Sequence, residues 1–224
     1  MSKAKQTSES IELGILLALS GGIMDAYSYM ARGEVFANAQ TGNMLLFGIY
    51  LSSGRWNRAL HYFFPILAFT AGIMLADIVR TKGSTKLHWR QLSVLFEAVI
   101  LFGVSFIPLS MNLLANSLTS LACGIQVESF RKIHGHGIAT TMCIGNLRSA
   151  TQNFCDYISR KDRQNLRNTF LYFGIIGCFI LGAILGNRAI HYLGKRAILT
   201  SVILLCVSFI IMFIDREKDR LQEE

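Results

Sequence analysis

The chain has 224 residues, of which 52% are hydrophobic and 16% charged, and its mean hydropathy is +0.41. Soluble domains carry about a quarter charged residues, so this composition excludes a soluble domain and predicts an all-α polytopic membrane protein. The formal net charge of +8 does not indicate nucleic-acid binding. The Lys and Arg residues form short clusters between apolar segments, which is how cytoplasmic loops orient a membrane protein.

Six apolar segments are predicted to cross the bilayer, because each approaches the roughly 20 residues that hydrocarbon requires. They are residues 13–31, 59–79, 91–110, 112–130, 169–190 and 197–214. The N-terminus is too polar for a signal peptide, so the first span is expected to stay in the protein.

Two further segments, 35–52 and 138–157, combine apolar residues with several polar side chains. The first carries Asn38, Gln40, Thr41 and Asn43, and the second carries Thr140, Thr141, Asn146 and Arg148. Such side chains are costly in contact with lipid. Each segment is therefore either a crossing shielded by its neighbours or a re-entrant or broken segment, and the polar residues alone leave this open.

The distribution of loop charge favours six crossings over eight. With six crossings, 15 of the 20 Lys and Arg residues outside the eight segments face the cytoplasm, against 11 with eight crossings. The positive-inside rule prefers the first arrangement. It places both termini, the short tails 1–10 and 215–224, and the 80–90 loop in the cytoplasm.

An internal repeat relates two halves of one membrane domain, about 11–110 and 112–214. Residues 21–45 resemble residues 123–147, and residues 68–77 resemble 178–187. With three crossings per half, the halves are inverted relative to each other, a recurrent design in secondary transporters. The two polar segments are then expected to approach each other in the middle of the fold.

The first repeat carries a recognisable motif: Gly21, Gly22, Asp25 and Ala26, then Gly33 and Phe36, then Thr41-Gly42-Asn43. This motif resembles the YoaK-like family of bacterial multi-pass membrane proteins, a domain of unknown function, over nearly the whole chain. The resemblance implies a bacterial inner-membrane location and about six spans, and it implies no substrate. The second half departs from the family pattern at Val127, Glu128 and Ile144.

Asp25 is the first candidate for chemistry, because an ionised carboxylate inside a span is normally paired, protonated or facing water. It is interpreted either as a proton or cation site or as an aspartate solvated at the interface or hydrogen-bonded to a helix start. The Gly42-Asn43 and Gly145-Asn146 elements have two interpretations as well. They either form half-helix tips that line a path for a solute, or pack and tie helices together.

The candidate substrate- or ion-binding residues are Asp25, Asn38, Gln40, Thr41, Asn43, Gln126, Thr140, Thr141, Asn146 and Arg148. Arg148 is interpreted as neutralising Asp25, binding an anion or snorkelling to the cytoplasmic face. Glu97 lies deep in an apolar segment and needs an interior partner. His134 and His136 are expected to be solvated, and the scattered cysteines to be free thiols, so no metal or cofactor is predicted.

These observations predict a small transporter or channel for a small polar solute or ion, rather than an enzyme. The alternatives are a non-catalytic membrane scaffold and an integral-membrane enzyme acting on lipid or quinone. The sequence contains no H-E-x-x-H or G-x-S-x-G motif that would favour the enzyme. The lipid bilayer is the expected partner, and a homodimer is an open option for a two-repeat unit.

Overall fold

A computed structural model describes residues 10–82, 89–133 and 136–223, with side chains beyond Met212 outside the description. This part of the chain folds into α-helices, and its one β-bridge joins Ile133 and His136. The helices are α1 (Ile11–Ala31), α2 (Gln40–Ser52), α3 (Trp56–Lys82), α4 (Trp89–Val104), α5 (Asn112–Ser129), α6 (Cys143–Arg160), α7 (Arg163–Leu193) and α8 (Leu199–Glu223). The predicted all-α class is confirmed.

Three of the described helices are long and apolar enough to cross a membrane by length and composition. They are Ile11–Ala31, Trp56–Thr81 and Arg163–Arg196, and Leu199–Met212 is a shorter apolar helix. The predicted span 91–110 extends beyond the helix that the structure shows. Helix α4 ends at Val104, and a turn that contains Pro108 follows it. The 80–90 loop falls largely on residues 83–88, which lie outside the described residues.

Both polar segments begin without helix and end in one. Residues 35–39 and 138–142 are not helical, and α2 and α6 start at Gln40 and Cys143. α2 packs against α3, and α6 packs against α7. Each short helix therefore lies beside the long helix that follows it in the chain.

Two helix pairs, α1 with α7 and α3 with α5, pack with their backbones in close contact. A Cβ atom built on Gly22 would lie 2.0 Å from the Phe179 carbonyl oxygen, and one on Gly124 would lie 2.2 Å from the Phe69 carbonyl oxygen. Real Cβ atoms do not approach backbone oxygens this closely, so only glycine fits at these two crossings.

The sequence also carries two small-residue faces, Gly72-x-x-x-Ala76 and Gly182-x-x-x-Gly186, a pattern that favours close helix packing. Gly72 and Gly182 lie in the same two interfaces. A Cβ atom on Gly72 would lie 2.2 Å from the Leu121 carbonyl oxygen, and one on Gly182 would lie 2.2 Å from the Leu19 carbonyl oxygen. The packing interpretation of these faces is thus confirmed. The remaining contacts join α4 to α8, α1 to α8, and α4 to α5.

The outer surface of this bundle is apolar and its interior contains many polar groups. Ile144, Phe170 and Tyr192 are 77%, 69% and 80% exposed. Polar residues that are fully buried include Ser20, Arg32, Asn43, Glu97, Gln126 and Ser201. Large exposed apolar side chains suit a lipid surface, which supports the membrane location that the composition predicts.

Arg32, which follows α1, is a fully buried cation that closes one end of the fold. Its guanidinium donates five hydrogen bonds of 2.7 to 3.3 Å, to the Tyr27 hydroxyl, the carbonyl oxygens of Val104, Ile107 and Pro108, and the Asn112 side chain. The C-terminal carbonyls of a helix carry partial negative charge, so the end of α4 compensates this cation.

Residues bonded to Arg32 connect it to other helices at the same end of the bundle. The Tyr27 hydroxyl donates to the Lys195 carbonyl oxygen at 3.0 Å, in the turn before α8. The Asn116 amide on α5 donates to the Arg32 carbonyl oxygen at 2.8 Å. One buried network therefore joins the ends of α1 and α4 to the starts of α5 and α8.

Arg32→Lys should destabilise the protein, because a lysine has three donors on one nitrogen and cannot reproduce the five-donor fork. We expect the free energy of unfolding to fall by about 3 kcal/mol or more, as when a buried charge loses its partners. The measurement is the melting temperature of purified protein in detergent, with the exposed Arg58→Lys as matched control. Equal melting temperatures for the two variants would contradict this role.

Candidate functional site

Asp25 lies on α1 with its carboxylate against the start of α2. It is 9% exposed. Its Oδ1 accepts a hydrogen bond from the Asn38 backbone N–H at 2.7 Å, and the N–H groups of Ala37 and Ala39 also donate toward the carboxylate. A helix N-terminus offers unpaired N–H groups and positive partial charge. Asp25 is thus bonded to a helix start, one of the two interpretations that the sequence leaves open.

Asn38 fixes the same segment to α1 and leaves one oxygen without a partner. Its side-chain Nδ2 donates to the Gly21 carbonyl oxygen at 3.2 Å. Its Oδ1 is buried and accepts no hydrogen bond from the described protein groups. A buried carbonyl oxygen normally has a donor, so this atom is available to a ligand.

The second polar segment, 138–157, contacts α1 at Gly21, the same residue that Asn38 contacts. A Cβ atom built on Gly21 would lie 2.4 Å from Cγ2 of Thr141, so Thr141 packs directly on this glycine. Gly21 is therefore touched by Asn38 from the first segment and by Thr141 from the second. The buried Thr141 hydroxyl has no hydrogen-bond partner among the described residues.

Gln126 on α5 extends this group of residues by one turn of α1. Its Nε2 donates to the Leu17 carbonyl oxygen at 3.2 Å and to the Thr140 hydroxyl at 3.0 Å. Its Oε1, like the oxygens of Asn38 and Thr141, is buried and unpartnered. We call Asp25, Asn38, Gln126, Thr140 and Thr141 the central polar cluster.

Two of the candidate asparagines, Asn43 and Asn146, hold the turns before their own helices. The Asn43 Nδ2 donates to the Phe36 carbonyl oxygen at 2.7 Å, and the Asn146 Nδ2 donates to the Ala139 carbonyl oxygen at 2.7 Å. Both asparagines are buried, at 0% and 2% exposed, and neither faces lipid. Their side chains shape the non-helical segments that deliver Asn38 and Thr141.

Gln40 also holds the turn before its own helix, α2. Its Nε2 donates to the Ala37 carbonyl oxygen at 2.8 Å, and its Oε1 accepts from the Asn43 amide at 2.8 Å. Its Nε2 also lies 3.4 Å from the Ser120 hydroxyl on α5. Gln40 thus links the turn before α2 to the neighbouring helix.

The structure does not bring Thr41 and Arg148 into the central polar cluster. Both are exposed. Among the described residues no ion pair joins Arg148 to Asp25, so that interpretation of Arg148 is not supported. Glu128, whose position in the second repeat is near that of Asp25, instead lies 3.2 Å from Arg131 and 3.9 Å from Arg80.

The sequence singled out Glu97 without assigning it to the site. It is fully buried on α4, and neither of its carboxyl oxygens has a hydrogen-bond partner among the described residues. Cys123 on α5 lies within electrostatic range of both Glu97 and Asp25. The sequence indicated that Glu97 is unusual, because a charged residue in the middle of an apolar helix needs an interior environment. It did not show which helices would pack around Glu97.

The described residues contain no group of three or more His, Cys, Asp and Glu side chains arranged for a metal ion. The five cysteines are free thiols, as expected. His134 lies outside the described residues, and His136 is half-buried with its ring near Tyr172.

Comparisons with known proteins agree with the motif in the first repeat. The family model described as a protein of unknown function (DUF1275) matches residues 13–211. The chain is 26% identical over 182 residues to the UPF0700 transmembrane protein YoaK of Bacillus subtilis (strain 168), covering 76% of this chain and 79% of the relative. No solved structure matches the chain.

Asp25→Ala should destabilise the protein more than Asp25→Asn does, because asparagine keeps an Oδ1 that can accept from the Asn38 N–H. We expect Asp25→Ala to lower the free energy of unfolding by about 1–3 kcal/mol, the cost of leaving buried donors unpaired. Thermal melts in detergent measure this difference. Asp162→Ala is the control, since Asp162 caps α7 in an exposed position where water can replace it. A smaller effect for Asp25→Ala than for this control would refute the cap.

Proposed function

The chain belongs to the DUF1275 family of proteins of unknown function, and from that premise we propose that it is a small non-enzymatic transporter or channel for a polar solute or ion. One observation carries the proposal. The central polar cluster holds three buried oxygens without a protein donor, on Asn38, Gln126 and Thr141. Buried polar atoms in proteins are paired as a rule, so their partner is taken to be the transported species.

The chemistry of these atoms narrows the class of solute. Amide carbonyl oxygens are acceptors only, and a hydroxyl both accepts and donates. A solute bound among them has hydrogen-bond donors or a positive charge, such as an amine, an amide or a polyol. The nearby Asp25 carboxylate favours the same classes.

The proposed topology has six crossings, with α2 and α6 lying within the membrane without crossing it. α2 has 13 residues, or about 20 Å of helix, which is short of the roughly 30 Å of hydrocarbon. In this arrangement both termini are cytoplasmic, and the protein lies in the bacterial inner membrane.

We further propose that the two halves are inverted repeats, and helix packing supports this. In such a repeat, the four helices from α1 to α4 correspond in order to the four from α5 to α8. The contact between α1 and α7 then corresponds to the contact between α5 and α3, and the contact between α1 and α8 corresponds to that between α5 and α4. Asn43 and Asn146 each bond the carbonyl seven residues before them. In transporters with inverted repeats, the substrate site lies between the two repeats near the bilayer midplane, as we place the central polar cluster here.

A non-catalytic scaffold is the competing function. The internally satisfied Gln40, Asn43 and Asn146 favour it, because their hydrogen bonds hold turns and leave no group for a solute. It gives no role to the unpartnered oxygens of Asn38, Gln126 and Thr141. A homodimer is compatible with either function.

A cysteine introduced at Ser84 tests the topology. In intact cells of a cysteine-free variant, Ser84→Cys should resist a membrane-impermeant thiol reagent and react after the membrane is permeabilised. Tyr192→Cys, near the proposed external turn before α8, is the control that should react in intact cells. Reaction of the Ser84→Cys protein from outside would refute the six-crossing topology.

A solute panel tests the function. One class of donor-bearing solute should raise the melting temperature of the purified protein. At a solute concentration 100 times the Kd, binding should add about 2.7 kcal/mol to the free energy of unfolding. Thr141→Val removes an unpartnered hydroxyl at constant shape, so it should fold and lose the shift. Asp25→Asn should also reduce it. Thr151→Val on the exposed face of α6 is the control. If no class of solute raises the melting temperature, the scaffold is favoured.

A further inference from the structure

Glu97 is a carboxyl group sealed inside the bundle with nothing to stabilise its charge. It lies near the middle of α4 and is 0% exposed. Neither Oε1 nor Oε2 has a hydrogen-bond partner among the described residues. Its neighbours along α4, Val94, Ala98 and Leu101, are apolar core residues.

Among the described residues, the helices packed against α4 bring no ion-pair partner to Glu97. From α5, the Cys123 thiol lies within electrostatic range of Glu97, and the same thiol lies within range of Asp25 on α1. The part of α8 with described side chains, Leu199–Met212, has no charged residue, and its Cys206 is exposed. On α3, Asp77 and Arg80 pair with each other at an exposed position. Among the described residues, Glu97 therefore has a thiol within electrostatic range and no ion-pair partner.

An ionised carboxylate in this position would lie in a medium of low dielectric constant, with the Cys123 thiol within electrostatic range. Burial without a partner strongly disfavours the charged form of a carboxyl group. Asp25 is the instructive contrast, since the N–H groups that precede α2 donate to its carboxylate. The two buried carboxyls thus differ in their surroundings, because backbone N–H groups donate to Asp25 and no described group donates to Glu97.

We propose that Glu97 is a proton-binding site of this protein and that it is the neutral acid in the arrangement described here. The carboxylate takes up one proton to form the acid and returns that proton when the surroundings of α4 become hydrated. A proton fits better than a metal ion, which needs several oxygen or sulfur ligands that converge. No such group of acidic, thiol and imidazole side chains exists among the described residues.

The inference that this proton is coupled to the movement of a solute rests on the proposed function. Intramembrane carboxyls of this kind serve as proton carriers in pumps and transporters. Cys123 lies between Glu97 and the central polar cluster, and its Sγ contacts the Met24 Sδ at 3.6 Å. A change of charge at Glu97 would therefore be felt at Asp25 and Asn38 through one intervening side chain.

Infrared difference spectroscopy of the purified protein at neutral pH tests the proton site directly. The wild type should show the carbonyl stretching band of a neutral carboxylic acid, and Glu97→Gln should lose it. Glu128→Gln is the matched control, because Glu128 is a partly exposed carboxylate that pairs with Arg131. Absence of the band from the wild type, or its persistence in a folded Glu97→Gln variant, would overturn the proposal.

A second measurement needs no variant. Wild-type protein containing carbon-13 glutamate should show the band displaced to lower frequency, which assigns it to glutamate rather than aspartate. An undisplaced band would overturn the assignment to Glu97. The band should also persist when sodium replaces choline at equal ionic strength. Its loss in sodium would show that Glu97 binds a cation, and would overturn the proposal that it binds a proton.

The outcomes separate this proposal from the proposed function. If the neutral-acid band is present but no solute raises the melting temperature, the proton site stands and solute transport does not. If a solute stabilises the protein but the band is absent, transport stands and Glu97 has another role. In a protein that moves a solute, Glu97→Gln should also abolish the dependence of uptake on the proton gradient.

Discussion

The apolar exterior of this bundle obliges the polar groups inside it to satisfy one another. Hydrocarbon offers no hydrogen bonds, so an unpaired buried group is costly. Arg32 illustrates how completely the protein can meet this demand: this cation has no carboxylate partner among the described residues, and its five donors bind the Tyr27 hydroxyl, the Asn112 side chain and three carbonyl oxygens at or just after the end of α4. That contact fixes where α4 stops, and so where α5 begins.

The same demand separates structural polar residues from functional candidates. Asn43, Asn146 and Gln40 form hydrogen bonds within the turns that precede their helices. These turns bring Asn38 and Thr141 against Gly21 from two sides. Their oxygens, with one from Gln126 and both from Glu97, are left without protein donors. The satisfied groups thus build the fold, and the oxygens of Asn38, Gln126, Thr141 and Glu97 are those at which we propose that a solute or a proton binds.

Close backbone packing makes this interior possible. Gly22 and Gly124 let α1 approach α7 and α5 approach α3 without room for a methyl group. With the long helices in such contact, the short helices α2 and α6 are held on the outside of α3 and α7, while the turns before them reach α1. A binding site assembled this way lies between the proposed repeats, so movement of one half against the other would change its shape.

The sequence by itself determined the membrane class, the family and most helix positions, because composition, apolar run length and the Gly21–Asn43 motif are local properties. It also identified Asp25, Asn38, Gln126 and Thr141 as unusual, since a polar side chain stands out in an apolar segment. Only the tertiary structure decided which of these are internally satisfied. Hydrogen-bond partners such as Gly21 for Asn38 and Leu17 for Gln126 are distant in sequence. The same holds for the burial of Arg32, because the carbonyl oxygens that bind its side chain lie more than 70 residues further along the chain.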